Sequence, residues 1–430
     1  MSFNQDRPIL IIGAGLAGLA LAQGLKRSNI AFRIFERDPT ASSRAQGYRI
    51  RINPDGAAAL QSLLPSNLQE AFRTSSAPVI PGGSNVNALS GEISSGMFPP
   101  GAGPPFSTAG APRPSANTEG TSYNADRFIL RTLLMTGLEE IISFGKKFAR
   151  YELLEHGGVA AHFEDGTSYE GTLVIGADGV HSAVRKQLLP EFRLFDSEGR
   201  AVFGKTNIYD GLLLETPESL QRGINLVGEG QQQPMKLFCD TMKFDRSNEK
   251  SLGALGLELP QDYIYWVLAF NVNRLSLSEQ ERLHHLSSEE SAKQGEEIIA
   301  HWHQSIRTLL SKQERNAAST LTFLTSNPDA FSRPWNLGQA AGKVTLLGDA
   351  AHAMPPVGGV GANTAFQDAA DLQQALVSEN DASLGSLSPK ILDFQEKMRL
   401  RAHEAVQRSA AGGGRFFGMK PIAELKPVAW

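Results

Sequence analysis

Residues 8–36 read PILIIGAGLAGLALAQGLKRSNIAFRIFE, and this stretch restricts the possible folds more than any other. Pro8–Ile12 is a short apolar, β-branched run suited to a buried parallel strand. Leu16–Arg27 has helical character and Ala31–Glu36 reads as a second strand, which makes a βαβ unit. Between strand and helix, Gly13, Gly15 and Gly18 fit the pattern G-x-G-x-x-G. Gly13 permits a tight turn, Gly15 lets the backbone approach a pyrophosphate, and Gly18 lets helix and strand pack closely. The helix N-terminus offers N–H groups and partial positive charge to phosphates. Glu36 ends the second strand, where a carboxylate accepts hydrogen bonds from ribose hydroxyls, each worth about 1.5–3 kcal/mol. A bare Gly-rich hexapeptide is often only a turn. Strand, helix and acidic residue together point to a dinucleotide, without separating FAD from NAD.

A second Gly-rich element, GDAAHAMPPVGGVGANTAFQDA at 348–369, makes that separation. Asp349 follows the apolar strand Val344–Leu347, where it can bond a polyol hydroxyl such as the ribityl chain of a flavin. NAD has no such chain. Gly358, Gly359 and Gly361 let the backbone lie against a planar ring. The helix Ala362–Ala375 then presents unsatisfied N–H groups, and its dipole favours negative charge by about 0.3–2 kcal/mol. A third element, VIGADGVHSAVR at 174–185, ends another apolar strand and places Asp178 where it could line the pyrophosphate region; alone, Asp178-Gly179 would be an ordinary turn.

These three fingerprints resemble those of the class A flavoprotein monooxygenases, the group of para-hydroxybenzoate hydroxylase, salicylate hydroxylase and the tetracycline-inactivating monooxygenases. The resemblance covers residues 8–53, 124–186 and 343–376, in the family's order. It implies that Glu36 holds the adenosine ribose, that Arg44 and Gly47 lie along the flavin, and that Arg131 contacts FAD, with Arg127 one turn before it. It also implies that Asp349 binds the ribityl chain and that Pro355, Gly361, Ala362 and Asn363 flank the isoalloxazine. The implied reaction has NADPH or NADH reduce FAD, which then forms a C4a-hydroperoxide with O₂. That species passes one oxygen atom to an aromatic or other electron-rich, mostly apolar small molecule, by hydroxylation or epoxidation. The nicotinamide binds transiently in this family, so one Rossmann fingerprint suffices. A flavin oxidase or reductase on the same fold, and a non-catalytic flavin-binding module, are the alternatives. Intact fingerprints disfavour the last. The aromatic run YIYWVLAF lacks W-x-W-x-I-P, which argues against halogenation.

No catalytic base can be assigned from the sequence. Tyr48, Arg49 and Arg51 flank the flavin segment and are candidates for the group that deprotonates or polarises a substrate hydroxyl, and Pro355, a further candidate, and Pro356 would stiffen the loop beside the ring. Tyr209, Phe238, Tyr263, Tyr265 and Trp266 are candidates for an apolar pocket. His352 reads as a structural hydrogen-bonding residue. His301 and His303 face different ways on a helix, so no metal site is expected.

The chain has 430 residues, enough for two or three structural units. A formal charge of −4 gives no reason to expect nucleic acid or an anionic membrane as partner, and the single Cys239 rules out an internal disulfide. The apolar run at 8–25 is broken at Gly13, Gly15 and Gly18 and closed by Gln23, Lys26 and Arg27, unlike a signal or membrane segment. A soluble cytoplasmic protein without membrane insertion is expected; the oligomeric state is not readable.

Further along, Asn87–Ser94 reads as a hairpin around Gly91 and residues 98–122 as a long loop. Asn124–Glu140 reads as a helix with Phe128, Leu133, Leu134 and Leu138 apolar. Val159–Glu164 and Thr167–Glu170 flank an Asp-Gly turn, and Thr172–Gly176 is another strand. Ala201–Tyr209, Met235–Cys239 and Asp262–Asn271 predict a mixed or antiparallel sheet, followed by one helix over Ser288–Lys312. A last helix over 388–410 is expected to stop at Gly412–Gly414. The fold class expected is α/β. A discontinuous Rossmann-type FAD-binding domain (1–74, 123–186, 336–385) is interrupted by a mixed-sheet substrate domain (75–122, 187–335). A C-terminal helical tail (386–430) follows.

Overall fold

Ile9–Ile12 are all buried and form the middle of a five-stranded parallel sheet. The spatial order is Val344–Leu346, Leu173–Gly176, Ile9–Ile12, Phe32–Phe35, Ile142–Ser143. Helices Leu16–Arg27 and Gly361–Val377 lie along this sheet, and a three-stranded antiparallel sheet of Phe148–Leu153, Val159–Phe163 and Ser168–Gly171 also packs on it, with Phe163 and Tyr169 against Phe35. This computed structural model describes residues 7–43, 47–96, 120–155, 157–230, 235–283, 286–377 and 384–428. Arg44, and all but the last three residues of the loop expected over 98–122, lie outside them. The helix Leu16–Arg27 follows the first strand as expected, and its buried face packs against the helix Gly361–Val377. Among the described residues no helix is long and apolar enough to cross a membrane.

A seven-stranded sheet forms the second layer. Its order is Ser319–Ser326, Leu194–Asn207, Tyr263–Asn271, Met235–Met242, Ile224–Gly228, Gly83–Asn87, Ile93–Gly96. Only Ile224–Gly228 and Gly83–Asn87 run parallel, so the sheet is mixed. The hairpin around Gly91 (φ +75°) closes its edge. One face carries Trp266, Leu268 and Val202 against helices Ser288–Ile298 and Gln304–Ser311. The other carries Phe203, Phe238, Tyr263 and Tyr265, and looks toward the parallel-sheet layer. The fold is thus the α/β arrangement expected.

Three expectations need correction. Tyr123–Asp126 is a strand paired antiparallel with Arg49–Ile52, and the helix runs only over Arg127–Met135. Asp126 starts it by accepting hydrogen bonds from the N–H groups of Phe128 and Ile129, and Phe128 is 41% exposed rather than buried. The helix over 288–312 is two helices. Between them the Trp302 indole N–H donates to Glu229 (2.7 Å) and the His303 N–H to the Ala88 carbonyl (2.8 Å), so tertiary anchors interrupt the local periodicity. His301 and His303 therefore sit in this turn region and not within one helix. The last helix continues through its glycines and spans Leu384–Phe417. A Cβ on Gly412 would lie 2.8 Å from Val357, and one on Gly413 2.9 Å from Met419 Sδ. These glycines serve close approach, and the turn comes at Gly418 (φ +72°).

Candidate functional site

In an open parallel sheet a ligand lies at the carboxyl ends of the strands, where the winding direction reverses. Here the reversal falls between Ile9–Ile12 and Leu173–Gly176, since the chain first builds outward to Phe32–Phe35 and later returns on the opposite side. Gly13, Asp178 and Asp349 follow the carboxyl ends of three adjacent strands at that point. The sheet therefore gathers one residue from each fingerprint.

The three glycines of the first fingerprint separate into different tasks. Gly13 has φ +110°, and a Cβ there would overlap the Ala177 carbonyl oxygen at 2.3 Å. A Cβ on Gly18 would meet the Gly13 carbonyl oxygen at 2.3 Å, so helix and strand are in direct contact there. Gly15 differs, because its nearest such neighbour is 4.0 Å away. It forms the N-cap of helix Leu16–Arg27 with no side-chain cap, leaving an open cradle beside the helix's first N–H groups. Glu36 is buried; its Oε2 accepts from the Ala14 N–H (2.7 Å) and its Oε1 from the Asp38 N–H (3.0 Å). Arg131 is also buried and donates to the carbonyls of Ala14 (3.3 Å) and Ala41 (2.5 Å).

The distant fingerprints close on this end. Gly348 (φ +60°) is wedged so that a Cβ would lie 3.2 Å from Ala17 and 3.1 Å from Ala365. Asp349 remains exposed, yet burial by surrounding protein raises its pKa against the opposing charges of His352, Arg127 and Arg185. Exposure to solvent inside so much protein marks a carboxylate lining a deep cleft. Among the described residues, none donates a hydrogen bond to that carboxylate. Asp178 Oδ2 accepts from the N–H groups of Ala183 (2.8 Å) and Val184 (3.3 Å), while its Oδ1 is buried without a partner. Desolvation raises the pKa of Asp178. The open cradle at Gly15, the unbonded Asp349 and the half-satisfied Asp178 fit a long polar cofactor such as FAD.

The helix Gly361–Val377 opens the C-terminal side of the cleft with Gly361, Ala362 and Asn363. The Asn363 side chain is used within the chain. Its Oδ1 accepts from the Asn53 N–H (3.0 Å), and its Nδ2 donates to the carbonyls of Arg51 (2.9 Å) and Gly359 (2.6 Å). It pins the glycine loop to the strand Arg49–Ile52, leaving backbone N–H groups as what the helix start can offer a ligand. The Pro355 carbonyl accepts from Ser409 of the last helix (2.6 Å). Gly47 packs on Asp126, with a Cβ reaching 3.1 Å from its Oδ1. The Arg127 guanidinium stacks over Tyr48 at 5.4 Å.

Two buried groups tie the fingerprints together, and sequence reasoning gave a role to only the second of them. Arg185 is fully buried and donates to the carbonyls of Ala350 (2.7 Å), Asp349 (3.4 Å) and Val180 (2.6 Å). It ties the second fingerprint to the third, and burial pushes its pKa down to about 10. His352, equally buried, bonds Asp368 through Nε2 at 2.6 Å, and Arg401 bonds the other oxygen of Asp368 at 2.5 Å. The reading of His352 as structural agrees with this. Arg185 was visible as the end of its fingerprint; the distant partners Asp368 and Arg401 were not.

Across the cleft lies the aromatic face of the seven-stranded sheet. Tyr48 meets Phe203 at 5.3 Å and stacks on Tyr265 at 6.4 Å between ring centres. Of the aromatic candidates, Phe238, Tyr263 and Tyr265 share this face. Trp266 points to the opposite face and donates to Thr206 (3.2 Å), because successive strand residues alternate. Tyr209 is 45% exposed and outside the cluster. The Tyr263 hydroxyl donates to Asp126 (2.9 Å), and burial pushes the phenols of Tyr263 and Tyr265 well up, so both stay neutral.

Residues 11–63 match the NAD(P)-binding Rossmann-like domain family and residues 279–410 the FAD binding domain family. A dual O-methyltransferase/FAD-dependent monooxygenase of Phaeosphaeria nodorum is 34% identical over 457 residues, covering 97% of this chain and 47% of the relative. The chain thus spans about half the length of that dual-function protein. An FAD-dependent monooxygenase of Trichoderma harzianum is 27% identical, covering 98% of this chain and 97% of the relative. Klebsiella pneumoniae HpxO, solved with FAD and uric acid, has the same fold, with a TM-score of 0.65 at 20% identity over 96% of this chain and 94% of that one. Strand order and fingerprints agree with these likenesses: along nearly its whole length the chain is similar to FAD-dependent monooxygenases.

Proposed function

We propose that this chain uses NADPH or NADH and O₂ to insert one oxygen atom into an aromatic or other electron-rich, mostly apolar small molecule. The observation that carries the reading is the wedge of Gly348 between Ala17 and Ala365, which brings both ends of the chain onto one cleft. In this reading the Gly15 cradle and the helix behind it take the pyrophosphate, with Asp178 alongside. Glu36 takes the adenosine ribose, and Asp349 the ribityl chain. Arg44, Gly47, Arg127 and Arg131 line the cofactor's flank, and the N–H groups at Gly361, Ala362 and Asn363 face the flavin. The FAD-binding part comprises 1–74, 123–186 and 336–385, the substrate part 75–122 and 187–335, and the tail 386–430. FAD, when bound, supplies the redox chemistry and the reaction with O₂. The chain supplies placement. Pro355 and Pro356 bring no backbone donors to the loop facing the ring, and Ser409 occupies the Pro355 carbonyl. The face formed by Tyr48, Phe203, Phe238 and Tyr265 excludes water and gives a planar substrate its surface.

Asp349→Asn keeps the shape and removes the charge. Loss of a charge-assisted hydrogen bond is worth about 1.5–3 kcal/mol, so FAD is expected to dissociate about 10- to 100-fold more readily, as read by recovery of free-flavin fluorescence. Unchanged affinity would remove Asp349 from the cofactor site. A scan of aromatic compounds for stimulated NADPH oxidation, followed by product mass, tests the reaction. Stoichiometric H₂O₂ from every compound that stimulates, with no oxygen gained by any product, would replace the reading with that of an oxidase.

A further inference from the structure

Arg49 and Arg51 lie two residues apart on the strand Arg49–Ile52, so both side chains leave the same face. Both reach the same oxygen of Asp240 on strand Met235–Met242. Arg49 Nη2 is 2.7 Å from Asp240 Oδ2 and Arg51 Nη2 is 3.3 Å from it. Asn124 Nδ2 approaches that oxygen at 3.4 Å, and Asn124 Oδ1 accepts from Arg49 Nε at 3.1 Å. Two guanidinium groups therefore share one carboxylate, itself only 1% exposed. Arg51 Nε is buried without a partner. Burial and the neighbouring Arg49 together push the Arg51 pKa down to about 10, more than Asp240 restores.

The other carboxylate close to this cluster is already engaged. Asp126 accepts from the N–H groups of Phe128 and Ile129 and from the Tyr263 hydroxyl. Asp349 feels Arg127, not these two arginines, as its nearby arginine on that side. The surplus positive charge also has a definite position. Arg51 Cβ faces Gly359 of the flavin loop, 3.8 Å from where a Cβ would stand, and the Arg49 guanidinium lies over the Phe238 ring at 5.4 Å. It sits where the glycine loop meets the aromatic face. A pair of arginines serving only to join two layers would be balanced in charge; among the described residues this pair has Asp240 as its one ion-pair partner.

We infer that Arg49 and Arg51 form an anion subsite which selects an aromatic substrate carrying an ionised oxygen acid, a carboxylate or the enolate of an acidic hydroxyl. The inference rests on reading this cleft as the oxygenation site, and the arginines would hold the acid while the ring lies on the aromatic face. Arg51, with its unused Nε and greater exposure, is the primary contact, and Arg49 is held by Asp240 and Asn124.

Calorimetric titration of the protein, with and without FAD, tests this with two matched pairs of probes. One pair is 1-hydroxy-2-naphthoate and its neutral carboxamide; the other is 2-hydroxy-1,4-naphthoquinone, ionised at neutral pH, and its methyl ether. The anion is expected to bind about tenfold or more tightly than its neutral partner in at least one pair, which also tells carboxylate from enolate. Arg51→Gln should reduce that preference to within about threefold while leaving the neutral probe's affinity unchanged. Asp240→Asn, which removes the shared acceptor, should preserve or increase it. Equal binding within both pairs, no binding of either anion, or an intact preference in a folded Arg51→Gln protein would overturn the inference. If the variants fail to fold, the wild-type comparison decides alone. Flavin content of the same preparations judges the cofactor reading separately.

Discussion

Alanine at Gly13 is expected to destabilise the protein by about 3 kcal/mol or more, while alanine at Gly15 spares the fold and weakens FAD binding about tenfold or more. The two positions are separated by one residue and receive the same methyl group. At Gly13 the added Cβ would lie 2.3 Å from the Ala177 oxygen, 2.7 Å from its carbonyl carbon and 2.9 Å from the Asp178 nitrogen. All three are backbone atoms at the end of a central strand, so none can swing aside. The positive φ adds strain, because an L side chain is disfavoured there. At Gly15 the backbone is extended (φ −77°, ψ 176°), and the nearest atom to an added Cβ is 4.0 Å away. Nothing in the protein resists that methyl group, which would occupy space the reading gives to the pyrophosphate. Denaturant unfolding of the FAD-free proteins, beside FAD titrations of each, separates the effects. Equal stability losses at both positions, or full FAD affinity in Gly15→Ala, would contradict this assignment of tasks.

The contrast also shows which parts of this molecule can be read from the chain alone. The helix Leu16–Arg27 and the strands beside it follow from local signals: a β-branched run, three glycines, an amphipathic stretch, a closing Lys-Arg. Those signals act within a few residues, and so did the Asp-Gly and Gly91 hairpins. The aromatic run YIYWVLAF was recognisable as a strand, but every residue from Tyr263 to Asn271 is buried. Without polar alternation, nothing local told that Tyr265 faces the cleft and Trp266 the helices. The break near residues 300–303 depends on Glu229 and Ala88, far away in sequence. Gly412–Gly414 looked like a helix stop, since glycine disfavours helix, yet contacts with Val357 and Met419 require glycine inside one. Asp240 carried no motif at all; its importance comes from two arginines 191 and 189 positions earlier, which only the sheet brings near.

The second large effect is expected at the buried ion cluster behind Asp349. Asp368 is fully buried and accepts from His352 Nε2 at 2.6 Å and from Arg401 at 2.5 Å; Arg401 also pairs with Asp371. The cluster locks the short turn Asp349–His352 to the helix Gly361–Val377, so it holds two parts of the proposed flavin site at a fixed separation. Asp368→Asn would leave Arg401, and His352 wherever it is protonated, without their shared counter-charge, and breaking a buried pair in this way costs about 3–5 kcal/mol. His352 gives the effect a pH signature. Burial opposes its imidazolium form, but the Asp368 carboxylate outweighs burial and raises the His352 pKa above its ordinary value. A folded-state pKa above the unfolded value of about 6.5 means that the charged pair contributes fully below that pH. Its contribution fades as pH rises through the elevated folded-state pKa. His352→Gln should therefore fall furthest behind the parent protein in mild acid, and the gap in unfolding free energy should narrow in alkali. Denaturant midpoints measured across that range provide the test. A gap that stays constant with pH would mean that His352 is neutral in the folded protein, leaving Arg401 as the cation that balances Asp368.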